Sequence, residues 1–550
     1  MKMDIFDELF KACMGLEAVQ NPQSKKAFDE LVCLVPDSAT AQDVKKFLSE
    51  RDGQQLGPMA ALLATHAGVL KIVRGVKNGE HDVEDNLRST LIEVADLISA
   101  VILPVCDGAS LEDDTTNYEA LQRKADLGLV TIEEITKILP RGPSQLQAST
   151  HLRLAAFTNP TDPWISKPDC TYIRSNAFIS FLDPQARERL ITEDILTGFI
   201  RPLFSKSRPA TVTASGRKAE FVEQSRYDSV ADESPETKPW KYAHRYAVTM
   251  FGWAVKQADS KLLQKHWPLY TPVLLTLLDE PAPVDLKVRA LGIFRAFWKR
   301  CPADLMQQTG LAEVFEQAVF PAVLYLPSLT PAEESLKILG AAYLALIEMA
   351  DLDTYDLDEY LRPPSSKWGE GGGEGEQELM EAQRKLLDKI IREGVMVGYH
   401  HAKEHIRIVG LLCETLICII NGMGILAVKH LKDIMPMVSE ILTDPFGTKH
   451  PPALLSAIKL LQAILRKCWP RIPHYCNEIL KTLTLCWLNI NVEDSLPSDN
   501  TTASEIKPEL IKSARMLSAI MKAAQVDFSK RVDPLIEKEP ELSKLFRAAK

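Results

Sequence analysis

No two cysteines in this sequence are spaced CxxC, and no stretch alternates apolar and polar residues with a period of two. The first absence removes the common zinc and dithiol frameworks, and the second removes a half-buried β-sheet. The ten cysteines stand scattered at 13, 33, 106, 170, 301, 413, 418, 468, 476 and 486. Several, such as Cys468 and Cys476, fall inside apolar helical stripes, which fits small buried hydrophobes in a reducing compartment. A basic surplus is also missing. The net charge is −10, which argues against general nucleic-acid binding.

Membrane and export signals are lacking too. The N-terminus, MKMDIFDELFKACMGL, mixes acids with apolar residues, unlike a signal or transit peptide. The most membrane-like run, Ile408 to Val428, is interrupted by Glu414, and only 14 residues separate Glu414 from Lys429. A buried core helix accounts for that run better than a bilayer span. A soluble intracellular protein is expected.

Catalytic and cofactor motifs fail one by one. There is no GxSxG, kinase signature or paired-carboxylate site. Gly422-Met-Gly424-Ile-Leu-Ala427 matches GxGxxA but has no βαβ context, so Asn421-Gly422 reads as a helix C-cap. The glycines at 369–375 are interleaved with Glu370, Glu374 and Glu376, which a phosphate cradle would not tolerate. His401 and His405 share a helical face near His400 and Glu404, but zinc needs three or four placed ligands and no third is evident. The tryptophans 253, 267, 298, 469 and 487 sit at helical spacing and read as core. No metal, cofactor or catalytic residue is expected.

What the sequence does hold is helix after helix, and the stretch 261–302 shows the pattern best. Leu263, Trp267, Tyr270, Leu274 and Leu277 advance by four, three, four and three, along one face of a helix. Asp279 to Pro283 turns the chain. Leu286, Ala290, Leu291, Phe294, Phe297 and Trp298 form the stripe of a second helix, with Lys287, Arg289, Arg295 and Lys299 largely away from it. Such a pair cannot bury its apolar face alone and needs like neighbours. A degenerate second copy exists. His266 precedes Pro272 by six and His430 precedes Pro436 by six; KRCP at 299–302 is matched by RKCWP at 466–470. The expected fold is all-α, an α-solenoid of degenerate HEAT/armadillo-like helix pairs.

The expected organisation follows composition. Residues 1–139 form an N-terminal helical region, with helices at 57–76 and 82–103 and shorter ones between 111 and 139. Residues 140–182 form an ordered, irregular, proline-rich strap in which Trp164, Ile165, Tyr172 and Ile173 are to be buried. Residues 183–239 hold a helix with Leu190, Ile195, Phe199 and Leu203 on one face, a basic segment and a flexible acidic loop. HEAT-like repeats are expected at 240–362 and 379–490, with a capping box at Thr330-Pro331-Glu333. A flexible glycine and glutamate loop spans 363–378, and 491–550 comprises a loop and C-terminal capping helices. The basic segment resists a purely solvated account, because apolar residues are mixed into it. Arg201, Leu203, Phe204, Lys206, Arg208, Arg217 and Lys218 are its candidate protein-binding residues.

Four blocks carry a resemblance: RPLFSKSRPATVTASGRK (201–218), HWPLYTPVLLTLLDE (266–280), TGLAEVFEQAVFPAVLYLPSLTPAEES (309–335) and AAYLALIEMAD (341–351). In their order and spacing the chain resembles the fungal family of the second Tel-two-interacting protein, Tti-two. The resemblance implies a non-catalytic HEAT-like scaffold in the TTT cochaperone complex with Tel-two and Tti-one homologues. It further implies indirect work on phosphatidylinositol-3-kinase-related kinases with the ninety-kilodalton heat-shock chaperone and its adaptors, in cytoplasm and nucleus. The alternative is a HEAT-repeat scaffold of another pathway, such as nuclear transport or a phosphatase scaffold. Nucleic acid and membrane are not expected partners.

Overall fold

The computed structural model describes residues 6–17, 25–51, 57–77, 85–106, 115–167, 170–205, 234–280, 282–351, 374–494 and 501–546. Among them there are helices and turns and no strand, and the fold is an α-solenoid. The chain divides into two compact units, Met1–Leu277 with Arg300–Leu311, and Leu278–Lys299 with Ala312–Lys550.

The first unit contains α1 (Asp7–Glu17), α2 (Lys25–Leu34), α3 (Ala41–Arg51), α4 (Pro58–Lys77), α5 (Asp85–Val101), α6 (Tyr118–Thr136), α7 (Ala148–Leu154), α8 (Cys170–Ser180) and α9 (Pro184–Arg189). A π-helix, Leu190–Ile200, leads into α10 (Arg201–Phe204), and α11 (Tyr246–Gln257) and α12 (Ser260–Asp279) follow. The helices stack in two rows. One row runs α4, α6, α8; the other runs α3, α5, α7 and the π-helix. Each helix buries its stripe against the next in its row, which is how a solenoid builds a continuous core from locally incomplete pairs. In α5, Leu91, Val94, Ala95 and Ile98 are fully buried. α6 is held at its start by the Asn117 side chain, which accepts from the Ala120 N–H at 3.0 Å.

The second unit begins with α13 (Val284–Trp298); α14 (Ala303–Thr309) belongs to the first unit. Then come α15 (Leu311–Val319), α16 (Ala332–Met349), α17 (Glu374–Lys389), α18 (Val397–Ala402), α19 (Ile406–Met423), α20 (Leu431–Thr443), α21 (Pro451–Lys467), α22 (Ile472–Asp494), α23 (Thr501–Ala523), α24 (Ser529–Lys538) and α25 (Leu542–Phe546). A row of second helices runs α13, α16, α19, α21, α23, each packed on the next, and α20 packs on α22 in the opposite row. α4 and the stretch Ile406–Thr443 are long and apolar enough to cross a membrane by composition. α4 is largely buried, and the second stretch is broken at Gly424, whose φ of 57° ends α19. Within α19 the residues Leu412, Leu416, Ile419 and Ile420 are fully buried.

Several expectations are corrected. Residues 118–136 are one helix rather than several. The region 140–182 is mostly helical, with α7 and α8 flanking a short connection. That connection is fixed from inside, since the buried Asp162 carboxylate accepts from Thr249 Oγ1 at 2.6 Å and Asn159 Nδ2 at 2.7 Å. Trp164 and Ile165 are buried there, whereas Ile173 is 62% exposed. The capping box at Thr330 does not form. Pro331 itself is the N-cap of α16 with no side-chain bond, and Glu333 pairs with Arg407 instead. Helix α17 starts at Glu374, inside the stretch expected as a glycine and glutamate loop; residues 352–373 lie outside the described set. The C-cap of α19 is Gly424, not Asn421-Gly422. His401 and His405 do not share a helix, because α18 ends at Ala402 and His405 is the N-cap of α19. Lys287 is buried, and its ammonium caps the carbonyls of Leu278 and, at 3.5 Å, Glu280 at the end of the preceding helix. Trp469, expected in the core, is 57% exposed.

Candidate interaction surface

The candidate surface is built from two segments of the first unit, the run from Pro184 to Ser205 and the first half of α12. The first segment begins as an ordinary helix. Asp183 caps it by accepting the Ala186 N–H at 2.8 Å, and Pro184 occupies the first turn. It then widens into the π-helix. Its buried apolar residues are Leu190, Ile191, Ile195, Leu196 and Ile200, followed by Phe204. Leu190, Ile195 and Ile200 are five apart, wider than the three-to-four spacing of an α-helical stripe, in keeping with the wider turn that i→i+5 hydrogen bonds make. The sequence reading assumed 3.6 and so placed Phe199 and Leu203 on the buried face; both are half-buried, one position off the true stripe. The hydroxyl of Thr197 reinforces the wide turn by donating to the Thr192 carbonyl at 2.6 Å.

The second segment is kinked. His266 has φ −120° and ψ 16°, outside the helical range, immediately before Trp267 and Pro268. Pro268 and Pro272 supply no N–H and clash with the preceding turn, so the helix is broken at its proline-rich start. The second copy keeps only the offset of six: His430 (φ −96°, ψ −3°) stays in the helical region and precedes α20, which carries Pro436.

Arg201, Phe204 and Ser205 face Pro268, Leu269, Pro272 and Val273 across a groove of about 370 Å³. A second concavity of about 330 Å³ continues from Leu269 and is lined by Gln185, Glu188, Arg189, Thr192, Glu193, Thr197, Lys265 and His266. The surface is therefore apolar at one end and of mixed charge at the other. Lys265 lies 3.4 Å from Glu188, and Arg189 lies 3.5 Å from Glu193. Burial holds the His266 imidazole below its usual pKa; the Lys265 charge adds to this and Glu188 opposes it. Burial, with Glu193 beside it, raises the Asp194 carboxyl. Thr192 Oγ1 donates to the Glu188 carbonyl at 2.9 Å, so both threonine hydroxyls serve the backbone. The arrangement offers hydrogen bonds, charge and apolar area to a protein surface.

Of the sequence candidates, Arg201 is exposed, Leu203 is half-buried and Phe204 is buried. Phe204 lines the groove from a buried position. Its ring is 4% exposed and stacked on Trp240, so it supports the groove from beneath. Lys206, Arg208, Arg217 and Lys218 lie outside the described residues. Sequence reasoning missed Pro268, Leu269 and Pro272, which it treated as part of a packing module. The signal available was the proline pair four apart, which shares one helical face.

Three comparisons bear on identity. No curated protein matches the chain. A solved structure, a mutant of Kap121p, aligns with a TM-score of 0.40 and 12% identity, covering 96% of this chain and 46% of that one. The model of the Tti2 family matches residues 150–449, which include the whole candidate surface and more than half of the chain. The chain belongs to the Tti2 family.

Proposed function

We propose that this chain is the Tti2 subunit of the TTT cochaperone complex and that it works without catalysis, by holding partner surfaces. The observation that carries the reading is the family match across 150–449. The fold supports it, because stacked helix pairs expose long ordered faces suited to several partners at once. Tel-two and Tti-one homologues are the proposed direct partners. Phosphatidylinositol-3-kinase-related kinases and the ninety-kilodalton heat-shock chaperone are reached through the complex, in cytoplasm and nucleus. Checkpoint and TOR signalling then depend on the chain through kinase abundance.

Within this reading, the groove between Arg201 and Pro272 is a contact for a partner subunit. Arg201 and Leu203 meet the partner, and Phe204 holds the groove open. Rapid depletion of the chain in cells tests the function. Steady-state levels of several kinases of that family fall together while their transcripts stay constant. Unchanged kinase levels after full depletion contradict the proposal.

A further inference from the structure

The second unit carries a patch that its own packing does not explain. Trp469 begins a short 3₁₀ turn, Trp469–Arg471, between α21 and α22. Its indole is 57% exposed, and Arg466, Pro470 and Arg471 are exposed around it, with Lys467 half-buried. The turn itself is fixed. Cys468 is fully buried and its backbone N–H donates to the Ile464 carbonyl at 2.8 Å, and the Arg471 N–H donates to the Cys468 carbonyl at 3.0 Å. The neighbouring turn, Gly424–His430, packs on α21 and exposes Ile425 (52%) and Leu426 (41%).

Helix stability accounts for part of this charge only. Arg466 and Lys467 stand at the C-terminus of α21, where cations suit the helix dipole. Arg471 stands just before the first residue of α22, where a cation is disfavoured, and that helix has no acid in its first turn. Arg466 donates Nε to the Gln462 carbonyl of its own helix at 3.3 Å, and none of the three cations pairs with a carboxylate among the described residues. On the adjoining elements Lys429 is matched by Asp388 at 2.6 Å, and Lys432 has Asp433 beside it in sequence. Three unmatched cations, an exposed tryptophan and two exposed aliphatics therefore remain. Tryptophan and arginine are the residues that dominate protein interfaces when desolvated.

We infer that this edge of the second unit docks an acidic protein segment whose carboxylates meet Arg466, Lys467 and Arg471 and whose apolar side chain covers Trp469. Charge complementarity chooses the occupant. Nucleic acid is the lesser fit, since a strand needs a basic groove to track its phosphates, and Ile425 and Leu426 offer it nothing. The inference is independent of the TTT reading.

The test uses the full chain and a synthetic helical peptide of about 20 residues, rich in Glu and Asp with Leu and Phe at i, i+4 spacing. Wild type binds it, and Trp469→Ala and the double variant Arg466→Glu/Arg471→Glu each weaken binding about tenfold or more. Raising salt from about 50 to about 300 mM weakens the wild-type complex as well. Circular dichroism and the thermal midpoint verify that the variants stay folded, as exposed positions should. A charge-reversal control, Lys481→Glu on α22 and away from the turn, leaves affinity unchanged. Absence of wild-type binding, or equal binding by wild type and both variants, overturns the inference. So does tighter binding of an oligothymidylate of similar length that is lost in the same variants, which would make the patch a nucleic-acid contact.

Discussion

The Phe204 ring lies stacked on the Trp240 indole, with centroids 4.7 Å apart and planes 16° from parallel. These two buried residues bracket the long segment that follows the π-helix, and the contact fixes the end of one groove wall. Truncating Phe204 removes an aromatic from a fully packed position. Phe204→Ala is expected to cost about 3 kcal/mol, read from denaturant unfolding, while Arg201→Glu on the exposed rim shifts stability by less than about 0.5 kcal/mol yet weakens partner binding. Equal effects of the two variants on stability would contradict the assignment of floor and rim.

Two glycines give opposite expectations for the same substitution. A Cβ on Gly128 of α6 would stand 2.4 Å from Ile102 Cγ2 and 3.2 Å from Ile98 Cγ2, both on buried side chains. Gly128→Ala is expected to destabilise by about 1–3 kcal/mol through overpacking, despite the helix propensity of alanine. Gly292 of α13 is exposed, and a Cβ there meets nothing within 4 Å. Gly292→Ala is expected to stabilise by about 0.5–1 kcal/mol. Thermal midpoints of the two variants, measured side by side, check both signs.

Acid sensitivity has a definite source in the first unit. His66 is buried, and its Nδ1–H donates to Thr131 Oγ1 at 2.9 Å, since that hydroxyl already donates to the Leu127 carbonyl. Burial depresses its pKa to about 4, with the Glu134 charge opposing and Arg74 adding to the shift. The folded state therefore keeps His66 neutral while the unfolded chain takes up a proton below its ordinary pKa of 6.5. Stability from this group is complete above pH 6.5 and is lost as pH falls toward 4, by about 3 kcal/mol in all. His66→Gln flattens the loss over that window, measured as the unfolding free energy against pH. Parallel profiles for wild type and variant would place the acid sensitivity elsewhere.

Glu348 is the buried half of a charge cluster in the second unit. Arg295 grips it with two bonds, Nε to Oε2 at 2.9 Å and Nη2 to Oε1 at 2.5 Å, and Lys299 adds a third contact at 2.9 Å. Burial raises the Glu348 pKa, but the bonds from Arg295 and Lys299 more than offset it and keep the carboxyl ionised. Glu348→Ala leaves a partly buried guanidinium unmatched and is expected to cost about 3 kcal/mol. The double variant Arg295→Met/Glu348→Leu is expected to lose less than the single one, as read from urea midpoints.

Much of this architecture was legible from spacing alone. The stripes of α5, α12 and α13 fall where a period of 3.6 puts them, the apolar run that holds α19 is a largely buried helix, and the paired His-to-Pro and Cys-Pro motifs fall on α12–α13 and on α20–α21. The failures have local causes. A π-helix turns more widely than an α-helical template, so Leu190 and Ile195 fall on the buried face as expected while Phe199 and Leu203 fall one position off it. Pro331 took the cap position that Thr330 seemed to own, because Thr330 donates its N–H back to Leu326 instead. The groove was illegible because its walls come from segments more than sixty residues apart and meet only in the fold. Trp469 was misplaced for a simpler reason, since a tryptophan at helical spacing carries no mark that tells core from surface.

Co-purification addresses the central claim most directly. The tagged full chain is co-expressed with its Tel-two and Tti-one homologues and passed over a sizing column after affinity capture. The account predicts one stable peak holding all three proteins, and its loss with Arg201→Glu/Leu203→Asp while the variant itself stays folded. Recovery of the chain without either homologue would contradict it.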